Sequence, residues 1–233
     1  MSKIGIIHTT AATVSGLGAL VGELMEGAEI VNILDDSILS DMRTENDIPF
    51  VRERWIGYAE MLEKMHVDAV LSACSTVGEF AEEADRLLKV PVYRIDEAMC
   101  EQAAMTGEHI YVLATLRSTL EPTVDLIRRK AGQAGRNIRL TTVLVENAYE
   151  ELMRGDREGH DRRIREAVED CPENCDVIVL AQASMAAAAG RAPEGIRILT
   201  SPRAGICRLR DELKKSTHTG ESGTEGGGGA SDI

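Results

Sequence analysis

Ala69-Val70-Leu71-Ser72-Ala73-Cys74-Ser75-Thr76 is the stretch on which the fold turns. An apolar run gives way to small and hydroxyl-bearing residues, and a helix-like segment over 79–88 follows. A short apolar run with turn-forming residues and a helical period behind it reads as one strand–loop–helix unit. The unit recurs in both directions. Upstream, a strand over 4–7 precedes a small-residue segment over 9–25, and a strand over 30–34 leads into Asp35-Asp36-Ser37 and a polar stretch. Val51, Trp55, Tyr58, Ala59, Leu62 and Met65 then repeat at the spacing of an amphipathic helix over 49–65. Downstream, strands over 92–95, 110–113, 140–145, 177–180 and 196–199 alternate with helices over 97–105, 121–134, 157–169 and 203–214 and with an alanine-rich stretch. Pro122 stands near a helix first turn, where proline is tolerated. Such β–α alternation predicts an α/β protein with mainly parallel sheets.

The pattern also runs twice. A strand ends in His8-Thr9-Thr10 and a later one in Ala73-Cys74-Ser75-Thr76. In the second half a strand ends in Ala114-Thr115-Leu116-Arg117-Ser118-Thr119 and a later one in Ala181-Gln182-Ala183-Ser184. This predicts two pseudo-symmetric Rossmann-like or flavodoxin-like domains, over 1–100 and 101–215, facing each other across an interdomain cleft. The last helix of the chain is expected to pack back onto the first domain. Residues 216–233, rich in Ser and Gly, are expected to be a disordered tail. Ligands of open α/β sheets sit at the carboxyl ends of strands, where all four polar loops lie.

Composition removes several function classes. The chain has 233 residues, 43% hydrophobic and 28% charged, enough to bury a sizeable core. One Trp, four Tyr and two Phe leave few rings on which bases could stack. Lys and Arg number 26 against 39 Asp and Glu, a net charge of −13, so no large basic face and no nucleic-acid partner are expected. No apolar run approaches the ~20 residues that span a bilayer, and no membrane partner is expected. The N-terminus enters a strand at once, without the features of a signal peptide. Five scattered cysteines suit a reducing compartment, so a cytoplasmic location is expected.

The loops carry the chemistry. A thiol between a strand end and a helix N-terminus, as at Cys74, feels the positive end of the helix dipole and becomes a candidate proton acceptor or nucleophile. A free cysteine there also packs well as a small hydrophobe, so position alone leaves both roles open. Thr9, Thr10, Ser75, Thr76, Thr115, Ser118, Thr119 and Ser184 could cradle a carboxylate or cap helices. Cys171 and Cys175, with only His160 near, fall short of the four ligands a zinc site needs, and no metal is expected. Gly16 and Gly18 do not make a dinucleotide fingerprint.

Ala73-Cys74-Ser75-Thr76, the strand carrying Val90-Pro91-Val92, and the run from Val112 to Thr119 resemble the aspartate/glutamate racemase superfamily, which includes hydantoin racemase, maleate isomerase and arylmalonate decarboxylase. The resemblance covers nearly all of residues 3–213. It implies two pseudo-symmetric α/β domains, no cofactor such as pyridoxal phosphate, and a small carboxylic acid, an amino or dicarboxylic acid, as substrate. It further implies a cytoplasmic homodimer, with Trp55 or Tyr58 available to a subunit contact or to the core. Cys74 matches the first-domain cysteine, and Thr115, Ser118 and Thr119 match the loop that holds a substrate carboxylate. Where two-cysteine members carry Gly-Cys-Thr, this chain has Ala181-Gln182-Ala183, and a glutamine amide takes up no proton at neutral pH. His8 stands near an acidic position of the family and is a candidate second acid/base or substrate-orienting group. The expected activity is that of an isomerase or racemase with Cys74, His8 and Gln182 at the reacting carbon. A decarboxylase-type lyase and a non-catalytic acid-binding protein are the alternatives. Arg203 is open to two roles, partner of a second substrate carboxylate or solvated charge on the last helix.

Overall fold

The computed structural model describes residues 1–221. Strands β1 (Lys3–His8), β2 (Glu29–Leu34), β3 (Ala69–Ser72) and β4 (Val92–Arg94) form one parallel sheet in the order β2-β1-β3-β4. Strands β5 (His109–Ala114), β6 (Arg139–Leu144), β7 (Val177–Leu180) and β8 (Arg197–Thr200) repeat it in the order β6-β5-β7-β8. Parallel strands need crossovers, and helices supply them: α1 (Val14–Leu24), α2 (Ser37–Thr44), α3 (Ile48–Lys64), α4 (Gly78–Leu87), α5 (Glu97–Thr106), α6 (Arg117–Gln133), α7 (Ala148–Met153), α8 (Arg157–Glu169) and α9 (Ser201–Glu221). Strands β3, β5 and β7 are buried along their whole length. That is why they read as continuous apolar runs rather than alternating ones.

Each sheet is covered on both faces. In the first, Ile7 and Val70 meet Trp55, Ala59 and Leu62 of α3 on one side, while Ile4, Ile6 and Leu71 meet Leu17 and Val21 of α1 on the other. Trp55 is fully buried in this core, so it is not the surface anchor for a second subunit that the sequence left open. Tyr58 is half-buried and donates its hydroxyl to Asp35 Oδ2 at 2.9 Å.

Two helices arise that the sequence reading did not name. Ile38, Leu39 and Met42 give α2 a narrow apolar face, and Asp35 Oδ1 caps its start by accepting from Ser37 N at 3.1 Å. Asn147, at φ 62°, turns the chain into α7; asparagine tolerates this left-handed backbone.

The halves exchange helices. Met99, Cys100, Ala103 and Ala104 of α5 pack in the core of the second sheet, so the expected boundary at 100/101 falls inside a single helix. In return Ile206 and Leu209 of α9 complete the core of the first sheet. Gly205 brings α9 against the backbone of Ile95, where a Cβ would collide with the carbonyl oxygen. The same helix continues past Ser216 to Glu221; the rest of the expected tail, 222–233, lies outside the described residues. Glu82 of α4 further ties the halves together, accepting from buried Arg94 and from Arg129 of α6.

Candidate active site

The loops at the carboxyl ends of β3, β5 and β7 touch across the two halves. Ser75 Oγ donates to the Ala181 carbonyl oxygen at 3.1 Å, and the buried hydroxyls of Thr76 and Thr119 lie 2.8 Å apart. Strand register makes the halves comparable residue by residue. Ile7 stands opposite Ser72 as Leu113 stands opposite Leu180. One residue on, Ala73 N donates to Ile7 O at 3.0 Å and Ala181 N to Leu113 O at 2.9 Å. The next residues, Cys74 and Gln182, are therefore equivalent. Both have extended backbone (φ −137°, ψ 120° and φ −118°, ψ 139°), and each leads into a 3-10 turn, Ser75–Val77 and Ala183–Ala188. By the same register His8 corresponds to Ala114, and Thr9 to Thr115.

Cys74 and Gln182 line one small cavity of about 50 Å³. Thr9, Thr10, Ser75, Thr76, Thr119 and Ser184 join them, so eight of the sequence-predicted site residues converge there. Three others do not. His8 is completely buried behind Thr13, its Nδ1 2.8 Å from Thr13 Oγ1 and its Nε2 2.9 Å from Asn32 Oδ1. Burial lowers its pKa from the ordinary 6.5, and it is Thr13, not His8, that reaches the cavity wall. Thr115 donates both its backbone N–H (2.5 Å) and its hydroxyl (3.0 Å) to Gln182 Oε1, so neither donor is left for a carboxylate. It lines instead an outer groove of about 780 Å³ together with Ser118, whose buried Oγ has no hydrogen-bond partner among the described residues. Thr76 borders both spaces.

Gln182 thus has a fixed orientation. Its oxygen faces two donors, and the –NH2 is the part of the amide left to the cavity. The cavity also has an apolar wall that the sequence reading missed: Leu39 of α2 and Tyr149, Leu152 and Met153 of α7. At its edge the Arg43 guanidinium of α2 lies 4.8 Å from the centre of the Tyr149 ring and 3.9 Å from Glu150. The available signals were faint: the 38-39-42 spacing in a polar stretch, and one of the chain's few tyrosines.

The remaining candidates lie elsewhere. Arg203 is exposed on the first turn of α9 and holds both oxygens of Glu23, at 2.7 and 2.9 Å. Cys100 is buried in the second core, which pushes its thiol well up. Cys175 Sγ donates to the Val177 carbonyl oxygen at 3.2 Å. Among the described residues no three His, Cys, Asp or Glu side chains gather as metal ligands, and no helix is long and apolar enough to cross a membrane.

Two parallel sheets in matching order, joined at their carboxyl ends around a thiol and a set of hydroxyls, define a racemase-type α/β protein. The family model described as Asp/Glu/Hydantoin racemase matches residues 4–208, and the chain belongs to that family. Among solved structures it is similar to a glutamate racemase isoform from Bacillus anthracis, with TM-score 0.73, 14% identity, and coverage of 92% of this chain and 82% of that one. It is likewise similar to allantoin racemase from Klebsiella pneumoniae (TM-score 0.65, 19% identity, 94% and 89% covered). Aspartate racemase from Picrophilus torridus gives TM-score 0.68 at 13% identity, with 92% and 95% covered. At such identities what is shared is the fold. No curated protein matches in sequence.

Proposed function

We propose that this protein is a cofactor-independent racemase-family enzyme acting at the carbon next to the carboxylate of a small acid, with the Cys74 thiol as its one proton-transferring group. The observation that carries the reading is that Cys74 and Gln182, equivalent in the two halves, line the same cavity. In this reading the Cys74 thiolate takes the α-proton and the negative charge moves onto the carboxylate as an enediolate. The hydroxyls of Thr9 and Thr10, the one proton left free by the Thr76–Thr119 pair, and the Gln182 –NH2 stabilise that charge, each well-aimed donor contributing about 2.7–4 kcal/mol. The amide takes up no proton, so a proton returned from Cys74 arrives on the face from which it left and gives exchange with solvent hydrogen. Inversion requires a water molecule to protonate the opposite face and the Cys74 proton to pass to solvent. One-sided delivery also suits a second reaction, decarboxylation. There the bond from the α-carbon to a second carboxylate breaks, CO2 leaves, and the Cys74 S–H protonates the carbanion before water reprotonates the thiolate.

Incubation of candidate acids in D2O, followed by NMR at the α-carbon and CO2 detection, tests both. Expected is α-hydrogen exchange or CO2 release, lowered about 10²–10⁴-fold in Cys74→Ala. Binding of acids without exchange, inversion or CO2 release would reduce the protein to a binding module.

A further inference from the structure

We infer that the cavity selects a small acid bearing a single negative charge and an apolar substituent, discriminates against α-ammonium acids and dicarboxylates, and so favours exchange or inversion at the α-carbon over loss of CO2 from a dicarboxylate. This rests on the reading of the cavity as a carboxylate site.

Among the described residues lining the cavity, none is Asp, Glu, Lys, Arg or His. A single carboxylate is served there by the Thr9 and Thr10 hydroxyls, the proton left free by the Thr76–Thr119 pair, and the Gln182 –NH2. An α-ammonium is not. It would meet no carboxylate: Gln182 Oε1 already takes two donors from Thr115 and the Ala181 carbonyl oxygen takes the Ser75 hydroxyl, which leaves it only neutral hydroxyl oxygens. A buried cation without a carboxylate partner is strongly disfavoured. A second carboxylate fares no better. No cation lines the cavity: Arg43 lies against Tyr149 and Glu150, Arg203 holds Glu23, and Arg117 stands exposed in the outer groove beside Glu121. His8 stands behind Thr13 with both ring nitrogens engaged. Past Thr76, in the outer groove, acidic side chains such as Glu79, Glu121 and Asp125 outnumber Arg43 and Arg117, so a distal carboxylate would meet net negative charge. What the cavity offers the rest of the substrate is Leu39, Tyr149, Leu152 and Met153, a surface suited to a short alkyl or unsaturated group.

Calorimetric titration of the full chain with three probes tests this. The probes are 3-methylbutanoate, valine (the same skeleton with an α-ammonium) and butanedioate (a second carboxylate). The expected result is that 3-methylbutanoate binds at least about tenfold tighter than either of the others. Leu152→Arg, or Met153→Lys at the cavity rim should the first fold poorly, is expected to shift the preference towards butanedioate. Equal or tighter binding of valine or butanedioate to the unsubstituted protein overturns the inference. If an α-amino or dicarboxylic acid also undergoes Cys74-dependent exchange in D2O, the selectivity falls while the proposed chemistry stands. If none of the three binds and no acid exchanges, the carboxylate reading itself falls, and this inference with it.

Discussion

His8 is the residue whose position the sequence least disclosed. A histidine at the carboxyl end of a strand next to a Thr-Thr loop can point into a ligand site or back into the sheet, and nothing in the neighbouring letters decides which. The structure turns it inward, onto Thr13 and Asn32. Its consequence is then for stability. Burial lowers the folded-state pKa below 6.5, so the unfolded chain binds the proton more readily. The stability this group contributes is complete above about pH 6.5 and is lost as pH falls towards the folded pKa. Urea unfolding at about pH 7.5 and about pH 5.5 should show a larger loss on acidification in the unsubstituted protein than in His8→Gln. An equal loss in both would assign the acid sensitivity to other groups. Cys74 was legible for the opposite reason. A strand end followed by hydroxyls and a helix fixes where a side chain stands, whatever packs around it. Gln182 was legible as a departure, but its bond to Thr115 was not, since two loops in one half must fold before they meet.

At the scale of elements, strands were easiest to read, because burial on both faces makes β3, β5 and β7 apolar without interruption. α2 and α7 escaped because they are only eight and six residues long, and α2 is polar outside its narrow buried face, so neither shows a sustained periodicity. It is these two short helices that supply the apolar wall of the cavity. The docking of α9 was foreseeable as a helix but not as a fit. Gly205 meets Ile95 backbone, which cannot swing aside as a side-chain tip would. Gly205→Ala should therefore cost about 1–3 kcal/mol, read from the urea midpoint. Gly18→Ala, in α1 with nothing within 4 Å of the added methyl, should be neutral or gain about 0.5–1 kcal/mol. Similar midpoints for the two variants would mean that α9 shifts at no cost.

For the whole molecule, the twofold repetition was visible in the letters because equivalent strands end in equivalent loops. The return of α9 to the first sheet was expected, but the packing of α5 on the second was not, because a helix's apolar face does not name the sheet it covers. Removing α9 by ending the chain after Thr200 uncovers the face that holds Ile4, Ile6, Leu17 and Leu71. The shortened protein should bind a hydrophobic dye and lose its cooperative thermal transition, whereas the intact chain should do neither. A cooperative transition in the shortened protein would show that the first core closes unaided. The same connectivity bears on the birth of the chain. Strands β1 to β4 leave the ribosome well before α9, the helix that seals one of their faces, with the whole second half made in between. The second half, from α5 to β8, has all its core residues once Thr200 has emerged. During translation, then, the later half can close before the earlier one, and the nascent first sheet stays open on one face until α9 emerges.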